Sequence, residues 1–264
     1  MRIAALVCLA ALSSAGAETN LERGKRIVDE AVAALGGERF LQMRDRVESG
    51  RAYSFYREQL SGLSIAKIYT RYLIRPEPPV PDFVGVRERQ VFGKKEDNGV
   101  LFADGQGYEI TFRGARPLPE NLLERFKEST LRNVFYILRQ RLGEPGMAFD
   151  SRGTDVVENQ PVEIVDISDL DNRTVTVYFN STTKLPAKQV TYRRDPLSKL
   201  RVEEVTRFSK YRNVGGVMWP YDIQRERDGE KIYQMYSDSV AIDNDLKDDL
   251  FTLPSNVKIL KKPK

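Results

Sequence analysis

The chain contains no histidine, and its single cysteine, Cys8, lies within the first ten residues. Without these residue types the chain cannot build a Ser-His-Asp triad, a Cys-His nucleophile or the usual zinc and iron sites. It cannot form an intramolecular disulfide either, so a hydrophobic core must hold the fold together. Catalysis would have to rest on carboxylates, lysine or tyrosine. We therefore expect a protein that is not an enzyme and that uses no cofactor and no metal.

The sequence also has no apolar run of about twenty residues, which is the length that a membrane-spanning helix needs. The best candidate is the short run Ile3 to Leu12, which follows Met1-Arg2 and precedes Ala15-Gly16-Ala17. A short basic start, an apolar stretch and an A-x-A site are typical of a secretory signal peptide, and an N-terminal anchor would need a longer run. We predict cleavage after Ala17, which leaves residues 18–264 as one exported domain without a membrane span.

Neither sign of charge is in large excess. Lysine and arginine number 42 against 38 aspartates and glutamates, a formal net charge of +4. Such a balance indicates a solvated surface and predicts no nucleic-acid partner. The acidic cluster Asp243, Asp245, Asp248 and Asp249 lacks the central glycine and terminal glutamate of a calcium loop, so a turn cap and a solvated rim are favoured over a metal site.

The chain is rich in alternating apolar and polar segments, which are typical of half-buried strands. Asp228-Gly229 separates two such arms between Val214 and Pro254 and predicts a β-hairpin, because type I′ turns need positive φ. Ile232, Tyr236 and Val240 are expected to share one face of the second arm. The other predicted strands cover residues 47–60, 64–74 (joined at Ser61-Gly62), 87–93, 100–112, 155–157, 162–167, 174–180, 185–193 and 199–211. Sequential pairing of these strands would form one antiparallel sheet.

Helical periodicity occurs in two places. Leu21 to Leu35 forms an amphipathic pattern that ends at Gly36-Gly37. Pro117 to Leu142 has apolar residues at spacings of three and four, which predicts one broken helix or two consecutive helices between strands. The segment Pro76 to Pro81 is interpreted as a connection at the rim, since proline cannot donate to a sheet ladder. The fold class is therefore α+β, with mainly antiparallel β structure.

Four sequence motifs carry a family resemblance. They are Asn172 to Pro186 (NRTVTVYFNSTTKLP), Gly216 to Pro220 (GVMWP), the Asp228-Gly229 turn, and Asp249 to Val257 (DLFTLPSNV). With the order of helices and strands, they make the chain resemble the LolA-type periplasmic lipoprotein carriers and sorting proteins, together with the LolB and LppX-like lipid-binding proteins. The resemblance implies a curved, incomplete and half-open β-barrel, here of about ten or eleven strands. It also implies that the first helix and the helical insertion form a lid.

The same resemblance implies a function. It is a periplasmic carrier or receptor that binds the acyl chains of lipoproteins, or another lipid, in a hydrophobic cavity. Transport partners in the inner and outer membranes would be its donors and acceptors. The residues expected to line the cavity are Tyr53, Phe55, Ile68, Tyr72, Val91, Phe126, Phe135 and Trp219. Arg51 is the candidate, by its position in the chain, for the arginine that locks the lid in the carriers.

Two alternatives stay open. The first is a non-enzymatic scaffold protein of the cell envelope with a filled core, which a cavity of several hundred cubic ångströms would distinguish from a carrier. The second is a carboxylate-dependent hydrolase. It would need a pair of inward carboxylates, such as Glu203 and Glu226, about 5–10 Å apart.

Overall fold

The computed structural model describes residues 17–76, 83–195 and 198–261. The predicted leader and most of the proline-rich connection, residues 1–16 and 77–82, lie outside the described residues. The helices are α1 (Asn20–Leu35), α2 (Glu38–Leu41), α3 (Glu120–Leu131) and α4 (Val134–Tyr136), which continues as the π-helical turn Ile137–Arg141. A 3-10 turn, Asp248–Phe251, lies near the C-terminus. Within the described ranges no helix is both long and apolar enough to span a membrane.

The strands form one antiparallel sheet, so the prediction of mainly antiparallel β structure is confirmed. They are β1 (Asp45–Tyr56), β2 (Gln59–Tyr72), β3 (Val86–Phe92), β4 (Asn98–Ala103), β5 (Gln106–Thr111), β6 (Gly114–Pro117), β7 (Ala148–Val157), β8 (Gln160–Ser168), β9 (Thr174–Asn180), β10 (Pro186–Arg194), β11 (Arg201–Val214), β12 (Val217–Arg227) and β13 (Glu230–Ile242).

The order of strands joins two meanders. It runs β6-β5-β4-β3-β2-β1-β13-β12-β11-β10-β9-β8-β7. All neighbouring strands are consecutive in the chain except β1 and β13. These two strands pair with each other, and Arg46 lies opposite Ile242. Strands β6 and β7 are therefore the two edges of the sheet. The chain between them, which contains α3, α4 and the π-helical turn, runs from one edge to the other.

The contacts of α3 show that the sheet is curved. Phe126 stacks on Phe102 of β4 with 3.7 Å between ring centroids, while the adjacent Arg125 contacts Glu204 of β11 at 3.3 Å. These two strands are six steps apart in the sheet and would lie roughly 29 Å apart if the sheet were flat. Adjacent residues of one helix cannot reach so far, so the sheet curves around α3. We call the face toward the helices the inner face and the opposite face the outer face.

Helix α1 begins at a capping box and packs into the core. Thr19 accepts a hydrogen bond from the Glu22 amide, and the Glu22 carboxylate accepts one from the Thr19 amide in return. Such reciprocal bonds satisfy backbone groups that a helix start otherwise leaves unpaired. Gly36, with φ of 125°, ends the helix. The predicted amphipathic helix is confirmed, and its apolar stripe contacts β7, β8 and β12.

The main hydrophobic core lies on the inner face, between α1, the π-helical turn and the half of the sheet that contains β7–β9 and β11–β13. Its largest fully buried side chains are Ile27, Leu35, Phe40, Met43, Leu138, Ile167 and Phe179. Complete burial of such side chains contributes about 1.5–3 kcal/mol each. In the part of the chain that the structure describes, no helix with a comparable number of buried residues lies above the half of the sheet that contains β2–β5.

An ion-pair network fixes the helical insertion to the turn between β8 and β9. The guanidinium of Arg141 donates to Asp169 at 2.8 Å and to Glu144 at 2.9 Å. Arg173 joins the network by contacting Asp169 at 3.2 Å and Glu128 of α3 at 3.2 Å. The side chains of Arg141 and Asp169 are only 5% and 6% exposed. Burial acts to raise the pKa of Asp169, but hydrogen bonds from Arg141 and Arg173 lower it below the ordinary value of 3.8.

The C-terminal segment covers one edge of the sheet. Ala115 of β6 donates to the Lys258 carbonyl at 2.9 Å, and Leu260 donates to the Ala115 carbonyl at 2.8 Å. An exposed edge strand offers unpaired backbone groups to other chains. The parallel bridge between Ala115 and Ile259 occupies these groups on β6.

The predicted count of ten or eleven strands is wrong, because the described residues form thirteen. Residues 100–112 contain two strands, which turn at Asp104-Gly105 with φ of 51° and 75°. Strand β6 follows, and its four residues are too few to show an alternating pattern in the sequence. The first hairpin turns at Arg57-Glu58, with φ of 49° and 61°, and not at Ser61-Gly62. The misplaced first hairpin follows from a turn in which two residues other than glycine adopt positive φ.

The hairpin at Asp228-Gly229 is confirmed, with φ of 48° and 82° at the two positions. The side chains of its second arm do not share one face as predicted. Tyr236 pairs with Asp222 on the outer face, whereas Val240 pairs with Glu48 and is buried in the core. A register shift opposite Ser49 and Gly50 adds one residue to β13 between them. A bulge of this kind reverses the side-chain alternation beyond it.

We expect Gly24→Ala to destabilise the protein, although alanine normally favours a helix interior by about 0.5–1 kcal/mol. A Cβ at Gly24 would collide with the backbone carbonyl of Phe149 on β7. Overpacking of this kind costs about 1–3 kcal/mol. Urea unfolding should show the loss. Gly143→Ala is the control, because a Cβ there meets nothing within 4 Å, and equal stabilities of the two variants would contradict the close packing of α1 on β7.

We expect Asp169→Asn to lower the free energy of unfolding by about 1.5–3 kcal/mol at neutral pH, because it removes a charged acceptor of buried hydrogen bonds. The pKa of Asp169 is lowered in the folded state, so its contribution is present above the unfolded pKa and is lost as pH falls through the folded pKa. The difference between the variant and the unchanged protein should therefore shrink below pH 4.

Denaturant unfolding between pH 7 and pH 3 measures this difference. Asp171→Asn serves as the control, because Asp171 also contacts Arg173 but its side chain is 70% exposed. An exposed pair of this kind contributes about 0–1 kcal/mol. A difference for Asp169→Asn that does not change with pH would show that its carboxylate charge does not stabilise the network.

Candidate functional site

Two adjacent cavities lie on the inner face. The first, called the inner cavity, has a volume of about 280 Å³ and is bounded by β1–β3, β11–β13, α3 and α4. The second, called the groove, has a volume of about 800 Å³ and lies between α3 and strands β10–β12. They share the lining residues Ser129, Asn133, Thr206 and Arg225. The arrangement joins a smaller space to a larger one.

Five of the residues expected to line a lipid site surround the inner cavity. They are Ile68, Tyr72, Phe126, Phe135 and Trp219. They come from β2, α3, α4 and β12, so the fold brings together residues that are far apart in sequence. Strands β3, β11, β12 and β13 complete the apolar lining with Val86, Phe92, Phe208, Ile223 and Met235.

The other three expected residues do not line this cavity. Tyr53 is paired with Gln234 on the outer face, and Phe55 lies near Lys231, whose ammonium is 4.5 Å from its ring centroid. Val91 is buried on the outer face of β3, which the 3-10 turn Asp248–Phe251 contacts. Adjacent residues of a strand point to opposite faces, and the inner face of β1 carries Arg46, Glu48 and Ala52. The aromatic residues of β1 therefore point away from the cavity.

Aromatic side chains connect the insertion to the sheet. Phe135 of α4 packs edge-on against Phe208 at 5.0 Å and tilts against Trp219 at 4.8 Å. Asn133 caps α4 by accepting hydrogen bonds from the amides of Phe135 and Tyr136. Edge-to-face pairs add about 0.5–1.5 kcal/mol to the effect of area burial. The position of Phe135 in the cavity wall is thus set by both the cap and the ring contacts.

A buried polar cluster borders the inner cavity. Arg46 donates hydrogen bonds to the hydroxyls of Tyr72 at 3.0 Å and Thr70 at 3.1 Å. Its guanidinium lies 4.1 Å from the ring centroid of Trp219, and its Nε is 3.6 Å from the carboxylate of Glu48. Glu48 also accepts a hydrogen bond from Ser237. Buried charges persist only when they are paired, and here both partners line a cavity whose wall also contains Glu88 and Gln90 beside its apolar residues.

Arg46 and Glu48 were not among the site residues predicted from the sequence. The candidate arginine, Arg51, is 59% exposed and lies 3.9 Å from Asp238. Arg46, in contrast, is 8% exposed and Glu48 is 2% exposed. Two opposite charges at positions i and i+2 of a strand share one face, and this spacing was the available signal for an inward ion pair.

Tyr136 anchors the end of α4 beside the cavity. Its hydroxyl accepts a hydrogen bond from the Gly85 amide at 2.8 Å. Burial raises the pKa of Tyr136, and the bond from Gly85 acts in the opposite direction. The phenol is therefore neutral at physiological pH and serves as a hydrogen-bond partner.

Glu203 and Glu226, the two carboxylates considered for hydrolysis, are each held by a neighbouring side chain. Glu203 accepts a hydrogen bond from the Tyr192 hydroxyl at 2.8 Å, and Glu226 pairs with Arg207 at 2.7 Å on the outer face. Burial acts to raise the pKa of Glu226, but Arg207 and Gln224 lower it below its ordinary value. A general acid needs a raised pKa, so this environment is the opposite of the one required.

The acidic cluster near the C-terminus is held by arginines. Asp243 contacts Arg39 at 2.5 Å, and Asp248 contacts Arg71 at 2.6 Å and Arg87 at 2.9 Å. Among residues 17–76, 83–195 and 198–261, no three side chains of the histidine, cysteine and carboxylate types are grouped to hold a metal. The aspartates therefore tie the C-terminal segment to α2, β2 and β3.

Comparison with known proteins identifies the fold. No protein-family model and no curated protein sequence matches the chain. A domain described as an outer membrane lipoprotein-sorting protein, from Vibrio parahaemolyticus, has a TM-score of 0.57 at 12% identity, covering 88% of this chain and 97% of that one. A DUF1329 family protein from Desulfovibrio piger has a TM-score of 0.57 at 13% identity, with coverages of 87% and 97%.

A LolA superfamily protein from Nitrosomonas europaea has a TM-score of 0.53 at 13% identity, covering 87% of this chain and 97% of that one. Likenesses at such identities concern the fold alone. They agree with the family resemblance carried by the sequence motifs. The chain has the fold of the LolA superfamily and of the outer membrane lipoprotein-sorting domains.

Proposed function

We propose that this protein is a periplasmic carrier or receptor that binds the acyl chain of a lipoprotein, or of another lipid, in the inner cavity. The observation that carries the proposal is the space between α3 and the inner face of the sheet. It is lined by aromatic and aliphatic side chains from five strands and two helices, and it continues toward the groove. Small-molecule sites have volumes of about 300–1,000 Å³, and the inner cavity, at about 280 Å³, lies close to the lower end of that range.

The packing of α3 supports a role as a lid. In α1 six residues are buried, whereas in α3 only Leu131 is. Phe126 of α3 borders the inner cavity, and Leu122 lines the groove with 45% of its surface exposed. A helix with an incompletely buried apolar face lies over a space that an apolar ligand can fill. On this proposal α1 is a structural part of the core, and α3 alone covers the site.

The energetics suit an acyl chain. Each methylene that leaves water contributes about 0.8 kcal/mol, so a few buried methylenes give useful affinity without any polar anchor. The site residues proposed for contact with the chain are those of the predicted set that line the cavity: Ile68, Tyr72, Phe126, Phe135 and Trp219. Arg46 and Glu48 would mark the end of the apolar space.

The inner cavity also bears on the two alternatives. A scaffold protein of the cell envelope needs a filled interior, and the space beneath α3 argues against such an interior. Hydrolysis by Glu203 and Glu226 receives no support from their partners on the outer face. A periplasmic location follows from the predicted leader, and donors and acceptors in the two membranes would be its partners.

We expect Ile68→Trp to weaken binding of a fluorescent long-chain fatty acid about tenfold, because the larger side chain displaces about two methylenes from the inner cavity. Fluorescence titration measures the affinity, and thermal unfolding verifies that the variant is folded. The matched control is Ile65→Trp on the same strand, where the side chain is 47% exposed outside the cavity. Equal affinities of the two folded variants would place the acyl site elsewhere.

Lipid extraction followed by mass spectrometry of the gently purified protein tests the proposal without a chosen probe. We expect one bound amphiphile per chain. A protein that carries none and also fails to bind the fatty acid would contradict the carrier function and favour the scaffold.

A further inference from the structure

The groove contains a concentration of arginines that acyl-chain binding does not explain. Arg193 on β10, Arg225 and Arg227 on β12, and Arg125 on α3 all line it. The register pairs Glu204 with Arg227 and Thr206 with Arg225, which places these side chains on the inner face. Arg125 approaches from the opposite side on the helix. The guanidiniums therefore converge from two walls of one space.

A single carboxylate stands at the centre of this cluster. The same oxygen of Glu204, Oε1, is 2.9 Å from Arg193, 3.3 Å from Arg125 and 3.8 Å from Arg227. One negative charge cannot neutralise three guanidiniums. Asp195 lies 3.9 Å from Arg193 and offers a second charge at the rim. The cluster keeps an excess of positive charge even with both carboxylates counted.

The other carboxylates of the groove do not remove this excess. The lining contains Glu124, Glu128 and Glu226 besides Glu204 and Asp195. Glu226 is bound by Arg207, which lies outside the lining. Glu128 pairs with Arg132 of the lining at 2.8 Å and also with Arg173 outside it. Glu124 lies one residue before Arg125 on the exposed surface of α3. Arg194 adds a further guanidinium to the lining.

Several donors of these arginines have no acceptor. Within the described residues, the Nε atoms of Arg227 and Arg132 are buried and make no hydrogen bond. Among the described residues, no carboxylate lies within salt-bridge distance of Arg225. Its guanidinium is 5.7 Å from the ring centroid of Tyr233. Unsatisfied buried donors are costly, so a ligand that supplies oxygen acceptors would be stabilised here.

The charges also repel one another. Burial lowers the pKa of Arg125, Glu204 acts to raise it, and the neighbouring guanidiniums of Arg227, Arg193 and Arg225 lower it further. An anion placed between the two walls would relieve this repulsion. Guanidiniums match the oxygens of phosphate in paired hydrogen bonds, which lysine does not do.

We infer that the groove binds the phosphate group of an anionic amphiphile whose acyl chain occupies the inner cavity. This inference rests on the proposed function. Arg225 lines both spaces, so it stands where a headgroup would join its chain. The ligand class is thus a long-chain molecule with a phosphate headgroup. A free phosphate ion shares the same chemistry, and the experiment below separates the two sources.

The test compares three probes on the full-length protein by isothermal titration calorimetry. They are dodecyl phosphate, the neutral dodecyl glucoside and inorganic phosphate, the first two below their micelle concentrations. We expect dodecyl phosphate to bind at least tenfold more tightly than the neutral amphiphile, and inorganic phosphate to bind far more weakly than either. Added salt should weaken binding of dodecyl phosphate alone, because salt screens exposed charges.

Arg225→Gln should reduce the affinity for dodecyl phosphate about tenfold and leave that for dodecyl glucoside unchanged. Arg225 has no carboxylate partner among the described residues, so its removal leaves no buried charge unpaired. Arg152→Gln is the matched control. It removes the same charge from β7, where Arg152 is 58% exposed and lies near Asp150 and Asp166. The control should leave both affinities unchanged.

The outcomes separate this inference from the proposed function. Equal binding of the two amphiphiles would overturn the phosphate site and leave the acyl site standing. Inorganic phosphate that binds as tightly as dodecyl phosphate would overturn the headgroup assignment in favour of a free ion. Failure of both amphiphiles to bind would overturn the proposed function, and the inference with it.

Discussion

The rest of the structure depends on one topological constraint: the helical insertion connects the two edges of a thirteen-stranded sheet. Strands β6 and β7 are consecutive in the chain but lie at opposite ends of the strand order. The connection contains α3, whose adjacent residues Arg125 and Phe126 contact β11 and β4, so it lies within the curve of the sheet. The bend brings β4 and β11 to the same helix, and it creates the inner face on which both cavities lie. The two cavities therefore depend on the curvature of the sheet.

The two halves of the inner face are used differently. On β7–β9 and β12, α1 buries a continuous apolar stripe and the interior is filled. On β1–β3 and β11–β13, α3 lies above a space that its own side chains do not fill. The pair formed by Arg46 and Glu48 lies at this second half. A buried pair contributes little net stability, so its position beside the cavity suits a role in shaping the site.

Local patterns predicted local structure well. The helix from Leu21 to Leu35, strand β9 and the turn at Asp228-Gly229 follow from periodicity and glycine. The turn at Arg57-Glu58 does not, because there two charged residues adopt positive φ. Which face of the sheet each side chain occupies was harder to predict. The extra residue of β13 near Asp238 reverses the alternation of inner and outer side chains beyond it. The arginine cluster could not be predicted, because its members come from α3 and two strands that only the folded sheet brings together.

The joint between β1 and β13 has a consequence for the order of assembly. Residues such as Arg46 and Ile242 meet across nearly the whole length of the chain. Contacts at such separation close late, because the entropy of a long loop must be overcome first. Until β13 arrives, β1 presents an open ladder of backbone groups to its surroundings. An unpaired strand edge is a template for pairing with another chain, so the slow step of folding is also the one most exposed to aggregation.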